Sequence, residues 1–324
     1  MRAIIPVAGV GTRLRPHTYT LPKVLINVAG KPILGHILDA IIKQGIDETT
    51  IVTGYMGKLV QEYVQKNYKI DVSFVPQRDS LGLGHAIWMA KDTFGDEPII
   101  IILGDTIFDV DISLASKSSY SSIGVKPVDD PRRFGVVELK DGRYITRFVE
   151  KPEKYVSNLA IVGIYYIANP KLLKECLNEL ITKNIKTRDE FQLTDALQLM
   201  LTKGETFTTF PVEGWYDCGK PETLLSTNRF LLDKSQLIQN FANTVIIPPV
   251  YIAPDAFIER SVIGPYATVA EGAVVSDSVV RNSIISDGSH VSNCLLEESI
   301  IGNNAIVKGF FYHLNVGNSS EINF

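Results

Sequence analysis

An aliphatic residue recurs every five or six positions along the last part of the chain. The ten members are Ile258, Ile263, Val269, Val275, Val280, Ile285, Val291, Leu296, Ile301 and Val307. A small residue stands two positions before each of them: Ala256, Ser261, Ala267, Ala273, Ser278, Ser283, Ser289, Cys294, Ser299 and Ala305. A helix would need apolar spacings of about three and four, and a meander would need turn signals. The pattern therefore predicts a parallel β-helix, whose coils bury an aliphatic column only by stacking.

The repeat resembles the left-handed β-helix of hexapeptide-repeat proteins, with about three triangular coils. We expect this β-helix at residues 245–318, preceded by a linker at 233–244 and followed by a tail at 319–324. The ends of a short β-helix leave unpaired strand edges and apolar surface. The sequence therefore predicts a homo-oligomer in which residues after about 245 contribute contacts.

The first hundred residues alternate short apolar runs with segments of helical spacing. Ile99–Leu103 is apolar at every position, which predicts a strand buried on both faces. For residues 1–232 we predict an α/β catalytic domain, a Rossmann-like and mainly parallel sheet with helices on both faces, whose strands become more antiparallel from about 121 to 167. The predicted helices are Ile33–Ile42, Leu59–Lys66, His85–Lys91, Pro170–Thr182, Asp189–Lys203 and Pro221–Leu232. Ligands bind such sheets beyond the carboxyl ends of the strands, here from Gly9 onward and at Asp105.

Composition and charge argue against several classes of partner. Apolar residues make up 45% of the 324 residues, which is typical of a soluble globular protein. The net charge of −4 argues against a nucleic-acid partner. Cys176, Cys218 and Cys294 form no CxxC pair, which argues against a disulfide framework and a cysteine-rich zinc site. No apolar run approaches the ~20 residues of a membrane span and the N-terminus is not a signal peptide, so we expect a cytoplasmic protein without a membrane partner.

A glycine-containing loop, Gly9-Val10-Gly11-Thr12-Arg13, follows the first apolar run. Leu14 stands where the dinucleotide fingerprint needs its third glycine, and the Gly-Lys pair of the Walker pattern is absent. The parts of a phosphate cradle are nevertheless present, because glycines let backbone N–H groups approach an anion and Arg13 supplies a forked cation. Lys23 adds a second cation. On these residues alone, a tight turn with surface arginines is the alternative.

Asp105 and Asp217 each stand beside a glycine. Asp105 directly follows Leu103-Gly104 at the end of the most apolar strand, where a carboxylate is costly unless it faces a cleft or a cation. Mg²⁺ favours one or two carboxylates together with substrate phosphates. Asp217, taken alone, is equally compatible with a structural role.

The wider string resembles the signature of sugar-1-phosphate nucleotidylyltransferases, which are also called nucleotide-sugar pyrophosphorylases. It reads Gly9-x-Gly11-Thr12-Arg13-Leu14-x-Pro16-x-Thr18, then Pro22-Lys23, then Gly30-Lys31-Pro32. The resemblance implies that an oxygen of a sugar 1-phosphate attacks the α-phosphorus of a nucleoside triphosphate, and that pyrophosphate leaves.

The resemblance also implies roles on the nucleotide side. The triphosphate would be bound by Gly9, Gly11, Thr12, Arg13 and Lys23. The base would be read by Gln77, which presents a donor and an acceptor together, and by Gly82. We expect neighbouring His85 to be a packing residue rather than a catalyst.

The sugar side follows from two further motifs. Glu150-Lys151-Pro152 resembles the Glu-Lys-Pro motif of the family, which implies that Lys151 holds the sugar phosphate and Glu150 the hexose ring. Gly135 and Val162 match positions where backbone lines the hexose pocket. The Trp-x-Asp-x-Gly motif around Asp217 implies that this residue joins Asp105 on Mg²⁺. The residues expected to be catalytic are Arg13, Lys23 and Lys151.

The motifs are less specific for the two substrates than for the family. The hexad repeat resembles that of the longer glucose-1-phosphate thymidylyltransferases, whereas Gly-Leu-Gly-His-Ala and Asp-Cys-Gly resemble uridylyltransferases. We therefore expect glucose 1-phosphate with dTTP or UTP. Thr-Arg-Leu-Arg-Pro also occurs in mannose-1-phosphate guanylyltransferases, which are the nearest alternative. Two others are a second, acyltransferase activity in the β-helix, using His290 or His313, and a non-catalytic regulatory subunit.

Overall fold

A computed structural model describes residues 1–115, 119–234, 241, 243–311, 316–317 and 319–321. By internal packing the chain forms two compact units. The first comprises Met1–Ile26 and Lys31–Leu224, and the second comprises Asn27–Gly30 and Leu225–Phe324. The predicted linker at 233–244 and tail at 319–324 lie partly outside the described residues, and the domain boundaries stay a prediction. No helix in the described part of the chain is long and apolar enough to cross a membrane.

Residues 1–233 contain both strands and helices. The strands are β1 (Arg2–Val7), β2 (Asn27–Val28), β3 (Lys31–Pro32), β4 (Glu48–Thr53), β5 (Asp71–Pro76), β6 (Ile99–Ile102), β7 (Thr106–Asp109), β8 (Ser121–Pro127), β9 (Gly135–Lys140), β10 (Tyr144–Glu150), β11 (Leu159–Ile167), β12 (Phe207–Pro211) and β13 (Gly214–Asp217). The helices are α1 (Ile33–Lys43), α2 (Gly57–Asn67), α3 (Leu83–Met89), α4 (Pro170–Thr182), α5 (Leu193–Thr202) and α6 (Pro221–Asp233). Short 3₁₀ turns include Thr12–Leu14 and Lys23–Leu25.

The first unit is built on a nine-stranded sheet in the order β5-β4-β1-β6-β11-β8-β12-β10-β9. Strands β5, β4, β1 and β6 run parallel, whereas β11 is antiparallel to β6 and β8, and β10 to β9 and β12. The four isoleucines of β6 are each at most 1% exposed, because the strand lies inside the sheet with both faces covered. The predicted Rossmann-like α/β fold is confirmed, but the sheet is mixed rather than mainly parallel, because β11 and β10 run antiparallel to their neighbours.

Three helices begin two or more residues before or after their predicted start. Helix α2 begins at Gly57 rather than Leu59. Helix α3 begins at Leu83 rather than His85, and α5 begins at Leu193 rather than Asp189. For α3 and α5 the cause is a tertiary contact before α5. The backbone N–H of Phe191 donates to the carbonyl of Leu81 at 2.8 Å, and the carbonyl of Phe191 accepts from the N–H of Gly84 at 2.7 Å. These bonds hold the segment before α5 against the loop before α3 and replace a helical turn.

The second unit contains the predicted β-helix, now confirmed. Its strands are β14 (Val245–Ile246), β15 (Val250–Ile252), β16 (Phe257–Glu259), β17 (Val262–Ile263), β18 (Ala267–Val269), β19 (Val274–Ser276), β20 (Val279–Arg281), β21 (Ile284–Ile285), β22 (His290–Ser292), β23 (Leu295–Glu297), β24 (Ile300–Ile301) and β25 (Ile306–Lys308). They form three parallel four-stranded sheets, β14-β17-β20-β23, β15-β18-β21-β24 and β16-β19-β22-β25. The described strands therefore make four coils rather than three, because β14 and β15 precede the first hexad.

Asn228 explains why residues 27–30 belong to the second unit. Its side chain is fully buried. Its Oδ1 accepts from the N–H of Ala29 at 2.8 Å and from Oγ1 of Thr268 at 2.7 Å, and its Nδ2 donates to the carbonyl of Tyr266 at 3.2 Å. One amide thus fastens the 27–30 segment and helix α6 to a coil of the β-helix.

Candidate active site

A cavity of about 490 Å³ lies at the carboxyl ends of β1 and β6, as predicted for this type of sheet. Eight of the predicted site residues line it: Gly9, Gly11, Thr12, Arg13, Lys23, Gln77, Gly82 and Asp105. The remaining predicted residues, which are Gly135, Glu150, Lys151, Val162 and Asp217, lie outside this lining. The nucleotide side of the prediction is therefore gathered around one cavity.

The glycine loop needs Gly11 for two reasons. Its φ of 66° lies in the left-handed region, which side chains disfavour. A Cβ at this position would also meet the Cβ of Lys23 at 3.0 Å and Cγ2 of Thr18 at 3.1 Å. Thr18 fixes the loop, because its Oγ1 donates to the carbonyl of Gly11 at 2.9 Å. The loop backbone is thus held close to Lys23 at the wall of the cavity.

Lys23 and Asp105 form an ion pair with 2.9 Å between Nζ and Oδ2. Lys23 is buried, whereas nearly half of the Asp105 side chain is exposed. A buried ammonium group needs a counter-charge, and Asp105 supplies it in this state. The pair joins two residues for which the sequence predicted different ligands, a phosphate and a metal ion.

Asp105 directly precedes β7, and Asp217 ends β13, the strand that pairs with β7. Strands β7 and β13 pair antiparallel with Thr106 opposite Asp217, and the N–H of Cys218 donates to the carbonyl of Asp105 at 3.0 Å. Oδ1 of Asp217 accepts from the N–H of Gly219 at 2.8 Å. The described residues contain no cluster of three or more His, Cys, Asp or Glu side chains able to hold a metal. Two neighbouring carboxylates nevertheless fit Mg²⁺, which takes its other ligands from phosphates and water.

Arg13 extends toward the same edge. A Cβ on Gly219 would lie 2.8 Å from Nη2 of Arg13 and 2.7 Å from Oδ1 of Asp217. Gly219 therefore keeps open the space in which the guanidinium and the carboxylate approach each other. The glycine of the Trp-x-Asp-x-Gly motif has a steric reason here that the sequence alone did not supply.

Gln77 follows β5 and is 5% exposed. Its Nε2 donates to the carbonyl of Gly82 at 3.1 Å and lies 2.9 Å from Nδ1 of His85. Gly82 has a φ of 108°, and a Cβ there would meet the carbonyl oxygen of Phe191 at 2.6 Å. Burial lowers the pKa of His85, which Asp79 partly opposes. The predicted base-reading pair is thus in direct contact, and His85 belongs to the same network.

The sugar side is assembled around Glu150 at the end of β10. Glu150 lies opposite Gly135 in the β9–β10 register, and its Oε2 accepts from Oγ1 of Thr194 at 2.7 Å. Its Oε1 lies 3.3 Å from Nζ of Lys151. Nη2 of Arg188 donates to the carbonyl of Lys151 at 2.9 Å. Arg188 and Thr194 were missed because both fell within or beside a predicted helix, where polar residues carry no special signal.

Val162 lies at an irregularity in β11, where the register with β8 shifts between Ile161 and Tyr165. The whole residue is 1% exposed, so neither its side chain nor its backbone presents surface to a ligand in this structure. The next residue, Gly163, has a φ of 93° and accepts from the N–H of Leu103 at 2.9 Å. Leu103 itself lines the cavity. The assignment of Val162 to the hexose stays a prediction.

Tyr165 is a buried residue whose pKa is affected by carboxylates from both halves of the predicted site. Burial raises its pKa, and the negative charges of Glu150 and Asp105 raise it further. Both carboxylates therefore act electrostatically on one phenol. Glu150 of the predicted sugar side and Asp105 of the predicted metal side therefore both lie near Tyr165.

Of the two histidines considered for an acyltransferase activity, only His290 lies among the described residues. His290 is exposed on β22, in register between Val274 and Ile306. His313 lies outside the described residues. A second activity in the β-helix stays a hypothesis.

Comparison with known proteins agrees with this geometry. A family model described as "Nucleotidyl transferase" matches residues 2–234. The chain is 30% identical to the low-salt glycan biosynthesis nucleotidyltransferase Agl11 of Haloferax volcanii, over 94% of this chain and 93% of the relative. It is also 30% identical to a glucose-1-phosphate thymidylyltransferase of Streptomyces griseus, over 93% and 92%. The bifunctional protein GlmU of Methanocaldococcus jannaschii is 34% identical, over 94% of this chain and 78% of GlmU.

Solved structures match most of the chain. A UDP-glucose pyrophosphorylase complexed with UDP-glucose has a TM-score of 0.65 at 28% identity, over 72% of this chain and 99% of that one. A putative glucose-1-phosphate thymidylyltransferase from Bacillus anthracis, in complex with a sucrose, has a TM-score of 0.62 at 27% identity, over 74% and 98%.

Proposed function

The chain belongs to the nucleotidyl transferase family, and on that basis we propose that it transfers a nucleotidyl group from dTTP or UTP to glucose 1-phosphate. The products are a nucleotide-sugar and pyrophosphate. The observation that carries the proposal is the cavity in which the glycine loop, Arg13, Lys23, Gln77 and Asp105 meet. The matches to glucose-1-phosphate thymidylyltransferases and to UDP-glucose pyrophosphorylases support this substrate pair. We propose a cytoplasmic setting, which supplies nucleoside triphosphates.

The reaction needs alignment and charge neutralisation rather than a strong general base. The attacking oxygen belongs to a phosphate that is already ionised, so no proton has to be removed from it. Lys151 binds this phosphate, and Arg188 fixes the backbone of Lys151. Glu150, oriented by Thr194, accepts hydrogen bonds from the sugar hydroxyls. The two substrates are thereby held for in-line attack, which lowers the entropic part of the barrier.

Cations on the nucleotide side stabilise the departing pyrophosphate. Arg13 supplies a planar fork for two phosphate oxygens, and Lys23 supplies a compact charge from the buried side of the loop. Because Lys23 is bonded to Asp105, an incoming phosphate competes with Asp105 for the ammonium group of Lys23. The triphosphate therefore binds in exchange for an existing ion pair.

We assign a Mg²⁺ site to Asp105 and Asp217. These residues fit the ion because they present two carboxylates at one end of the β7–β13 pair, beside the phosphate-binding loop. When bound, the ion would neutralise phosphate charge. Release of Lys23 from Asp105 would leave this carboxylate available to the metal while Lys23 turns to phosphate.

We also propose that the β-helix mediates self-association. Its last described coil carries Leu295 and Ile306, which are 84% and 66% exposed. Within the described residues, the strands of that coil pair with one neighbour only. Covering this apolar surface and these strand edges with another chain would lower their free energy in water.

Pyrophosphate release from a matrix of sugar 1-phosphates and the five common nucleoside triphosphates tests the activity. We expect the highest kcat/KM for glucose 1-phosphate with dTTP or UTP, and strongly reduced turnover in Arg13→Ala. Arg15→Ala is the matched control, because Arg15 stacks on Tyr19 in the same loop without lining the cavity. A maximum with GTP and mannose 1-phosphate would contradict the substrate assignment. Absence of turnover with every pair would contradict the proposed reaction.

A further inference from the structure

The side-chain amide of Gln77 is bound from one side by two groups of the protein. Its Nε2 lies 3.1 Å from the carbonyl oxygen of Gly82 and 2.9 Å from Nδ1 of His85. Gln77 is nearly fully buried and its remaining surface lines the cavity. A glutamine in this position has two possible amide orientations, and they present opposite hydrogen-bonding groups to a ligand.

The carbonyl of Gly82 favours one of the two orientations. A carbonyl oxygen only accepts, so the amide nitrogen of Gln77 must face it, because the reversed amide would place two oxygens against each other. His85 then receives the second N–H of the same nitrogen. Its Nδ1 must accept, which requires that the ring be neutral with its proton on Nε2. Burial favours this neutral form, because it lowers the pKa of His85. Both N–H groups of Gln77 are thus used, and Oε1 is the amide atom left for a ligand.

His85 is itself held in place. It lies in α3, and its ring stacks on Trp88 with 5.8 Å between centroids. Phe191 packs on it at 6.4 Å, and the backbone of Phe191 is bonded to both sides of the loop before α3. The acceptor at Nδ1 is therefore fixed in space, as a group that positions another side chain must be.

We propose that His85 is a positioning residue that fixes Gln77 as a hydrogen-bond acceptor, so that the site selects uracil or thymine over cytosine. This inference rests on the proposed use of dTTP or UTP. The base of either nucleotide carries a single N–H, at ring position 3, and an acceptor has no other N–H to bind on it. In the same pose, cytosine would place its unprotonated ring nitrogen against Oε1, one lone pair against another, and its N–H donors, on the neighbouring exocyclic amino group, would point elsewhere.

Without the acceptor at residue 85, the amide loses one of the two bonds that hold its orientation. Rotation by about half a turn still costs the bond to Gly82 and sets two oxygens against each other, but it no longer costs a bond at residue 85. The reversed amide, whose N–H can donate to cytosine, is therefore more populated than in the wild type. We therefore expect His85→Leu to lower kcat/KM for UTP about tenfold, the loss of roughly one hydrogen bond. The same variant should use CTP better, so that the UTP-to-CTP ratio falls by more than tenfold, while KM for the sugar phosphate stays unchanged. His85→Asn should restore the ratio, because its side-chain oxygen can accept where Nδ1 does.

Steady-state kinetics with UTP, dTTP and CTP, at varied sugar phosphate, are the test. Ring ¹⁵N chemical shifts of the wild-type protein give a second reading that needs no variant, and should show His85 neutral with its proton on Nε2. An unchanged UTP-to-CTP ratio in a folded His85→Leu variant, or a proton on Nδ1, would overturn the inference while leaving the proposed function intact. A wild-type preference for GTP or ATP would instead overturn the substrate assignment, and this inference with it.

Discussion

Buried polar side chains occur in both units of the chain, yet they use their hydrogen bonds in different ways. In the β-helix, Oγ of Ser283 donates to the carbonyl of Arg281 at 2.7 Å and accepts from the N–H of Ser299, one coil later, at 3.0 Å. In the first unit, Lys23 and Gln77 are bonded within the wall of a cavity and present further atoms to it. Polar residues that repeat in register thus stabilise the stacking of the coils, whereas single polar residues beside a cavity can also bind a ligand.

The serine ladder also explains the small residues of the hexad repeat. Oγ of Ser278 donates to the carbonyl of Ser276 at 2.7 Å and accepts from the N–H of Cys294 at 3.1 Å, and Ser261 holds the N–H of Ser278 in the same way. A side chain at such a corner must be short enough to reach the backbone of its own coil and of the next. The repeat therefore encodes hydrogen bonds as well as an aliphatic column.

Asp105→Asn, in the first unit, is the substitution expected to have the largest effect on activity. The amide binds a hard cation poorly, so we expect kcat/KM to fall roughly a thousandfold or more, equivalent to ~4 kcal/mol of transition-state stabilisation. The asparagine oxygen can still accept from Lys23, but the buried ammonium group loses its counter-charge, so the free energy of unfolding should also fall, by about 1–3 kcal/mol. Pyrophosphate release across a Mg²⁺ titration and chemical denaturation measure both quantities.

Asp96→Asn is the matched control for this variant, because Asp96 is exposed and does not line the cavity. It should leave both quantities unchanged. Near-normal turnover of Asp105→Asn at saturating Mg²⁺ would refute the metal assignment.

The second prediction compares the nucleotide side and the sugar-phosphate side of the proposed site, both in the first unit. Arg13 approaches Gly219 and lines the nucleotide cavity, whereas Lys151 lies beside Glu150 outside that lining. Loss of a charge-assisted hydrogen bond to phosphate costs ~1.5–3 kcal/mol, so each alanine variant should lose roughly 10- to 100-fold in kcat/KM. Arg13→Ala should act mainly through the nucleotide and Lys151→Ala mainly through the sugar phosphate, which kinetics varied in each substrate will show.

Exposed Lys154 provides the control for Lys151. If both site variants impaired nucleotide binding equally while Lys154→Ala did not, the division between the two sides of the site would be wrong.

The sequence predicted what depends on local period and strand ends. The hexad register, Asp105 after β6 and Gln77 after β5 follow from residues that are neighbours along the chain. What it could not predict are the pairings set by tertiary packing. Lys23 meets Asp105 from 82 positions away, and Thr194 meets Glu150 from 44. His85 was expected to be a packing residue, and it does pack on Trp88 and Phe191. Its contact with Gln77 could not be predicted, because it depends on the loop before α3 folding against Phe191.

A smaller effect is expected in the second unit. Ser283→Ala removes the partner of the Ser299 N–H and should lower the free energy of unfolding by about 1–2 kcal/mol. The activity of the folded protein should not change, because every proposed catalytic residue lies in the first unit. Ser283→Cys should be milder, since Cys294 occupies the equivalent place at another corner and donates to the carbonyl of Ser292. Chemical denaturation, with activity measured on the folded protein, tests both expectations. A loss of turnover as large as that of the site variants would show that Ser283 does more than stabilise the β-helix.

The least effect on either fold or turnover is expected from Leu295→Glu. Leu295 is 84% exposed, so a charge there should change the free energy of unfolding by no more than about 0.5 kcal/mol. The same charge would be costly to bury between two chains, so the particle mass in light scattering should fall toward that of one chain while activity per chain persists. Asn303→Glu adds the same charge at an exposed turn of the same coil and should leave the mass unchanged. A wild-type protein that is already monomeric, or a Leu295→Glu variant of undiminished mass, would show that this apolar edge does not hold chains together. A monomeric variant with lost turnover would show that assembly acts on catalysis.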